Sequence, residues 1–309
     1  MTILLLLIGL FLIVFGADSL VDGASAIARR FHVSEFVIGL TIVGFGTSCP
    51  ELVVSLTGAI AGNADISVGN VVGSNIFNTL CIIGLTTVIS PIAITSKNRK
   101  VDIPMVIVTT IITLTLGLTL STLNRIEGVI LLLLFAAYMT YCFMIQSGET
   151  MENVDVKHMS LFVAILLTAA GLAGLIIGGD LFVKSAMDIA RQLGVSDKFI
   201  AITLLAGGTS LPELATCIAA AVKKKNQLAF GNIIGSNIFN LLLILGCASV
   251  ITPLSFAALN IVDISVLVAS TILLFIFAYT GSKKSINRVE GAFLFAVFVG
   301  YYVYLFLRP

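Results

Sequence analysis

Two glutamates stand inside long apolar stretches of this chain, each in the same frame: GTSCPEL at 46–52 and GTSLPEL at 208–214. At the centre of a bilayer a carboxylate costs roughly 2.5–3.5 kcal/mol even on the mildest insertion scale. Glu51 and Glu213 therefore need a compensating partner, yet no Lys or Arg falls in the central stretch of any predicted helix. The missing positive charge is then a bound cation or a proton. On a helix, Thr47 and Ser48 lie four and three residues before Glu51 and share its face. Thr209, Ser210 and Glu213 repeat the arrangement. Pro50 cannot donate to the carbonyl of Gly46 and clashes with it, as Pro212 does with Gly208. Each kink is expected to free backbone oxygens beside the carboxylate. Such backbone is tolerated at depth only where it lines a protein-enclosed cavity.

A second duplicated motif, GNVVGSNIFN at 69–78 and GNIIGSNIFN at 231–240, adds oxygens. Ser74 and Asn78 are four apart, as are Ser236 and Asn240. Asn75 and Asn237 fall on an adjacent face and are expected to hold the bent helices in place. Glycines 44, 46, 207 and 208 let another helix or an ion come close, and Gly69, Gly73, Gly231 and Gly235 suit tight helix packing. The combined set is two carboxylates, hydroxyls, amide oxygens and kink carbonyls, with Cys49 the one thiol in the motif. Hard oxygen ligands suit Ca²⁺, Na⁺ or Mg²⁺ rather than Zn²⁺ or Cu⁺. Two ionised glutamates balance one Ca²⁺, which accepts about six to eight oxygens in loose geometry, whereas Mg²⁺ dehydrates reluctantly. The neutral rim suits Na⁺.

The elements that must carry these groups are read from composition. The 309 residues are 58% hydrophobic and 11% charged, with mean hydropathy +1.13. Soluble domains are nearer one-quarter charged, so these charges cannot cover a water-facing surface. Apolar runs of about 20 residues match a hydrocarbon core of roughly 30 Å. Ten helices are predicted, at 2–20, 36–60, 68–90, 101–121, 126–146, 160–182, 198–222, 230–251, 262–280 and 288–307. The N-terminal run has no basic leader or A-x-A-like site and reads as the first membrane helix. Net charge +1 gives no sign of nucleic-acid binding. The five cysteines, scattered and odd in number, read as small buried apolar residues.

A shift of 162 residues superposes both motif pairs without a gap, and also Asp18 on Asp180, Ala28 on Ala190 and Pro91 on Pro253. A shift of 163 places NRIEG (124–128) on NRVEG (287–291). With five helices per half, the second half enters the membrane upside down. The expected fold is an all-α membrane protein, ten transmembrane helices in two inverted five-helix repeats. Residues 1–147 form the first repeat, 148–159 a cytoplasmic connecting loop and 160–309 the second repeat. Inverted repeats are common in secondary transporters, with the site at their interface near the midplane. Placing both termini outside puts twelve basic residues on inner loops (Arg29, Arg30, Lys97, Arg99, Lys100, Lys157, Lys223 to Lys225, Lys283, Lys284 and Arg288) against five outside, as the positive-inside rule asks.

The paired GTSCPE and GTSLPE, each followed by GSNIFN, resemble the two α-repeats of sodium/calcium exchangers in the cation/calcium antiporter superfamily. The resemblance covers all ten predicted helices. Size and the short central loop resemble a prokaryotic member without a large regulatory domain. It implies Ca²⁺ ligands at Glu51 and Glu213 with the backbone oxygens of Thr47 and Thr209. Na⁺ sites would draw on the carbonyls of Gly44 and Ala206 and on Thr47, Ser48, Ser74, Thr209, Ser210 and Ser236, and Asn78 and Asn240 would complete the polar centre. It further implies Na⁺/Ca²⁺ exchange by alternating access, with the first and sixth helices sliding past the rest. Relatives in the potassium-dependent branch carry Asp where this chain has Asn240, which points away from K⁺ co-transport.

Other readings weigh less. Ca²⁺/H⁺ or other cation antiport keeps the carboxylates but lacks the proton-coupled branch's signature. A Ca²⁺ channel would more usually ring its filter with identical subunits. An intramembrane enzyme would need adjacent acids and a cleft for its substrate, so no catalytic residue and no cofactor is assigned. One chain holds a whole pathway, which implies a functional monomer in the bilayer with Ca²⁺ and Na⁺ as its substrates. Asp18 and Asp180 are expected near helix ends, in capping or loop contacts. Ser34 with Glu35, and Ser196 with Asp197, read as helix starts.

Overall fold

With no water to pair backbone groups in hydrocarbon, apolar runs of this length close their hydrogen bonds internally as helices. The computed structural model describes residues 2–119, 122–145, 159–194, 206–257, 259–280 and 285–307 and is helical apart from four two-residue strands. In chain order the helices begin with α1 (Thr2–Arg30) and a pair bent by 46°, α2 (Glu35–Thr47) and α3 (Cys49–Ile60). Next come α4 (Asp65–Ile89), α5 (Asn98–Thr119), α6 (Arg125–Met144) and α7 (Leu161–Gln192). The last four are α8 (Leu211–Val222), α9 (Asn226–Ile251), α10 (Ile261–Thr280) and α11 (Arg288–Leu307). Among the described residues, eight helices are long and apolar enough to cross a membrane, or nine if the bent pair is one span. The predicted helix at 198–222 is described only from a helical turn at Ala206–Gly208 onward, followed by α8.

Two boundaries differ from expectation. α1 and α7 run on to Arg30 and Gln192, so Asp18 and Asp180 sit in helix interiors instead of at ends. Carboxylates break the apolar pattern without breaking the helix, because each finds a cation. Lys223 Nζ, just beyond α8, reaches Asp18 at 2.5 Å and Asp22 at 2.7 Å. Lys184 reaches Asp180 at 2.9 Å one turn along α7. Lys223 ties α1 to the rest of the molecule and is only 24% exposed. Lys223→Ala is expected to cost about 1 kcal/mol, a fall of about 2–4 °C in the detergent melting temperature. An unchanged melting curve would show the tie contributes nothing.

α1 and α7 pack antiparallel along a stripe of glycines. A Cβ built on Gly9 would lie 2.7 Å from Phe182 N, one on Gly16 2.8 Å from Gly171 O, and one on Gly23 2.7 Å from Ala164 O. Small residues let helices approach closely where hydrocarbon gives no hydrophobic drive. The outer flank of α1, with Leu4, Leu7, Phe11 and Phe15, is exposed and apolar, as a lipid-facing surface should be. The centre belongs to α4 and α9, with 78% and 83% of their apolar windows buried. These two helices carry the second duplicated motif.

Four strands stitch the loops: β1 (Ile92–Ala93), β2 (Thr122–Leu123), β3 (Leu254–Ser255) and β4 (Ser285–Ile286). β1 pairs antiparallel with β4 and β2 with β3. A shift of 162 residues takes β1 onto β3, and one of 163 takes β2 onto β4. The two pairings are thus equivalent under the sequence repeat, each joining a loop of one half to a loop of the other. The NRIEG and NRVEG motifs are capping boxes. Glu127 Oε2 accepts from Asn124 N at 2.8 Å while Asn124 Oδ1 accepts from Ile126 N at 2.9 Å, and Glu290 and Asn287 repeat both bonds. Ser34 caps α2 as expected, accepting from Val37 N at 3.3 Å. Ser196 and Asp197 lie outside the described residues.

Candidate cation site

Pro50 and Pro212 decide the local geometry. A proline is well placed in the first turn of a helix, where its missing N–H is an orphan anyway. The chain accordingly breaks at Ser48 (φ −82°, ψ 5°) and at Ser210 (φ −89°, ψ 8°), and α3 and α8 start immediately after. Glu51 and Glu213 therefore sit in the first turns of new helices, not midway along continuous ones. The helix dipole favours negative charge there, an advantage that a simple kink would not supply. Both glutamates are fully buried.

Their partners cross between the halves. Ser210 Oγ donates to Glu51 Oε1 at 2.9 Å, and Ser48 Oγ donates to Glu213 Oε1 at 2.9 Å. From the central helices, Ser74 Oγ donates to Glu51 Oε1 at 3.5 Å and Ser236 Oγ to Glu213 Oε1 at 3.4 Å. Every bond on one carboxylate has its counterpart on the other. Among the described residues, the second oxygens, Glu51 Oε2 and Glu213 Oε2, have no hydrogen-bond partner, nor do Asn78 Oδ1, Asn240 Oδ1 and Thr209 Oγ1. Unpaired buried acceptors cost about 1–3 kcal/mol each, and more when charged. A set of such oxygens fits a hard cation as substrate. Among the described residues no three His, Cys, Asp or Glu gather in one place, so the site is two carboxylates with neutral oxygens around them.

Asn78 and Asn240 lie in π-helical segments, Phe77–Ile82 in α4 and Phe239–Ile244 in α9. Widened turns of this kind collect at functional sites. Their neighbours form a chain across the two central helices. Asn240 Nδ2 donates to Asn75 Oδ1 at 2.9 Å, Asn75 Nδ2 to Asn237 O at 3.2 Å, and Asn237 Nδ2 to Thr79 Oγ1 at 2.9 Å. Asn75 and Asn237 thus brace the centre, as their position on the adjacent face suggests. The Gly44 carbonyl accepts from Ser48 N at 3.1 Å and from Ser236 Oγ at 3.4 Å. Ala206 opens the helical turn that precedes Thr209. Of the packing glycines, Gly231 and Gly235 pack hardest: a Cβ on them would meet Phe36 O and Leu40 O at 2.1 and 2.2 Å. A Cβ on Gly69 or Gly73 would meet no neighbouring described atom within 4 Å, so the close packing expected at these two is absent among the described residues.

Two site neighbours lie inside the second motif but receive no role from the sequence reading. Asn70 Nδ2 donates to Ser55 Oγ at 2.9 Å and to the backbone oxygen of Glu51 at 3.2 Å. Asn232, its equivalent, accepts from Thr47 Oγ1 at 3.1 Å. The signal is present all the same: positions 70, 74 and 78, and 232, 236 and 240, recur at i, i+4, i+8 and so line one helix face.

The sequence pattern of the family described as sodium/calcium exchanger protein matches residues 1–144 and 163–307. CaxA of Alkalimonas amylolytica is 40% identical over 310 residues, covering 97% of each chain. The sodium/calcium exchanger MaX1 of Methanosarcina acetivorans is 34% identical over 353 residues, covering 98% of each. Among solved structures, the sodium-calcium exchanger NCX_Mj superposes with a TM-score of 0.87 at 35% identity, covering 100% of this chain and 99% of its own. With crossed carboxylate and serine pairs at its centre and matches that run the length of the sequence, the chain belongs to the sodium/calcium exchanger protein family.

Proposed function

We propose that this chain exchanges Na⁺ for Ca²⁺ across a membrane by alternating access, and that Glu51 and Glu213 are the shared charge on which the two ions compete. The observation that carries this reading is the pair of buried carboxylates, each satisfied at one oxygen by a serine of the opposite half and, among the described residues, unpaired at the other. One Ca²⁺ neutralises both glutamates. The backbone oxygens of Thr47 and Thr209 and the amides of Asn78 and Asn240 would add to its shell. Na⁺ ions would use the same carboxylates with the hydroxyls of Thr47, Ser48, Ser74, Thr209, Ser210 and Ser236 and the carbonyls of Gly44 and Ala206. Overlapping ligands prevent simultaneous occupancy. Either load removes buried net charge and permits the switch between inward and outward forms. Without a load the uncompensated buried negative pair resists that switch, which prevents leak.

The architecture proposed with it is ten transmembrane helices in two inverted repeats, 1–147 and 160–309, joined by a cytoplasmic loop at 148–159. Both termini lie outside and the chain works as a monomer. The bent α2–α3 pair and the turn at Ala206–Gly208 with α8 would be the equivalent broken spans of the two halves. Discontinuous helices of this kind form ion sites in inverted-repeat transporters.

Ca²⁺ uptake into proteoliposomes loaded with Na⁺ and diluted into Na⁺-free medium tests the reading. Uptake is expected to require the Na⁺ gradient and to be unaffected by K⁺, since both central amides are Asn. Uptake that ignores Na⁺ and follows a proton gradient would keep the site and reassign the coupling ion.

A further inference from the structure

The two halves of the site match at the carboxylates but differ one layer out. Thr47 Oγ1 lies 3.1 Å from Asn232 Oδ1. Asn232 Nδ2 lies 3.3 Å from Cys217 Sγ. Cys217 Sγ in turn lies 3.5 Å from the carbonyl oxygen of Ala229. Thr47, Asn232 and Cys217 are all fully buried. The far end fixes the direction of the whole chain. A carbonyl only accepts, so the thiol donates to Ala229. The sulfur is then left to accept, which turns the Asn232 amino group toward it and the Asn232 oxygen toward Thr47. The threonine hydroxyl must donate.

The equivalent positions in the other half run differently. Ser55 stands where Cys217 does and Ser67 where Ala229 does. Ser67 Oγ donates to Ser55 O at 2.6 Å, and Asn70 is spent on Ser55 Oγ and on the Glu51 carbonyl. Thr209 Oγ1 has no hydrogen-bond partner among the described residues. Thr209 approaches the Glu51 carboxylate and Thr47 approaches that of Glu213. Among the described residues, Thr47 and not Thr209 has acceptors away from its carboxylate, Asn232 Oδ1 at 3.1 Å and more distantly Gly44 O at 3.5 Å.

We propose that Asn232 is a positioning residue for Na⁺, acting through Thr47. By holding the hydroxyl hydrogen, it leaves the lone pairs of Thr47 Oγ1 free to face the site. The Thr47 oxygen becomes a preorganised neutral ligand, while Thr209 must first turn its hydrogen aside. The Na⁺ positions in the two halves are then unequal. Ca²⁺, taking the backbone oxygen of Thr47 in the exchange reading on which this rests, does not depend on the relay.

The test measures half-saturating Na⁺ and Ca²⁺ for exchange in proteoliposomes containing wild type, Asn232→Leu, Thr47→Val and the double variant. Each single substitution is expected to raise half-saturating Na⁺ about three- to tenfold, the worth of one hydrogen bond. Half-saturating Ca²⁺ should stay within about twofold by the same measure. The double variant should be no worse than either single one, because both break the same link. Cys217→Ala removes only the far acceptor and should shift Na⁺ in the same direction by less, with Cys217→Ser restoring it. That pair decides the matter if Asn232→Leu fails to fold. Unchanged Na⁺ dependence, equal weakening for both ions, or additive losses in the double variant would overturn the assignment. A wild-type protein with no Na⁺ dependence would instead overturn the exchange reading itself.

Discussion

Glu213→Gln is expected to abolish Na⁺-driven Ca²⁺ uptake, and Glu51→Gln to do the same. Each substitution keeps the shape of the side chain and removes one of the two charges that balance a divalent ion. Glutamine can still accept from Ser48 or Ser210, so the crossed bonds at 2.9 Å are largely retained. What is lost is half of the charge facing Ca²⁺ in a fully buried site. Breaking a buried ion pair by removing one partner costs roughly 3–5 kcal/mol, or a hundredfold or more in affinity. Radioactive Ca²⁺ uptake, normalised to folded protein by size-exclusion chromatography, reads the loss. Near-normal uptake in either variant would remove that glutamate from the site.

The second large effect lies in packing. In Gly231→Ala the new Cβ would stand 2.1 Å from the carbonyl oxygen of Phe36, a backbone atom that no rotamer change can move aside. α2 would have to shift off α9, and α2 carries Thr47 while Ser48 sits at its end. Overpacking against backbone costs about 1–3 kcal/mol or more, a fall of roughly 2–12 °C in melting temperature. Weakened ion affinity should accompany it. Gly300→Ala, on α11 where the new Cβ would meet no neighbouring described atom within 4 Å, is the matched control and should melt as wild type does. Equal melting of the two variants would show that the α2–α9 contact is softer than its geometry.

The duplicated GTSxPE and GSNIFN frames make the carboxylates, serines and asparagines legible from the residues alone, because a carboxylate in an apolar run needs a partner and the repeat marks which polar neighbours go with it. The NRIEG and NRVEG boxes are legible as repeats, and Ser34 as a cap, from local chemistry. The break at Ser48 is legible only as a kink. In the fold Pro50 sits in the first turn of a new helix, with Glu51 beside it. The ends of α1 and α7 are misplaced by sequence reasoning because Asp18 and Asp180 look like termini until Lys223 and Lys184 are seen beside them. The crossing of Ser210 to Glu51 and Ser48 to Glu213 spans 159 and 165 residues, a distance over which sequence spacing carries no geometry. Periodicity also conceals the π segments around Asn78 and Asn240, since one widened turn alters which residues face inward without altering composition.

Competition at one pair of carboxylates is most directly tested by equilibrium Ca²⁺ binding to the purified protein during a Na⁺ titration. Na⁺ is expected to displace bound Ca²⁺ completely, with a steep dependence on Na⁺ concentration, and Glu213→Gln is expected to show no Ca²⁺ to displace. Ca²⁺ that stays bound at saturating Na⁺ would place the two ions in separate sites and contradict exchange by shared ligands.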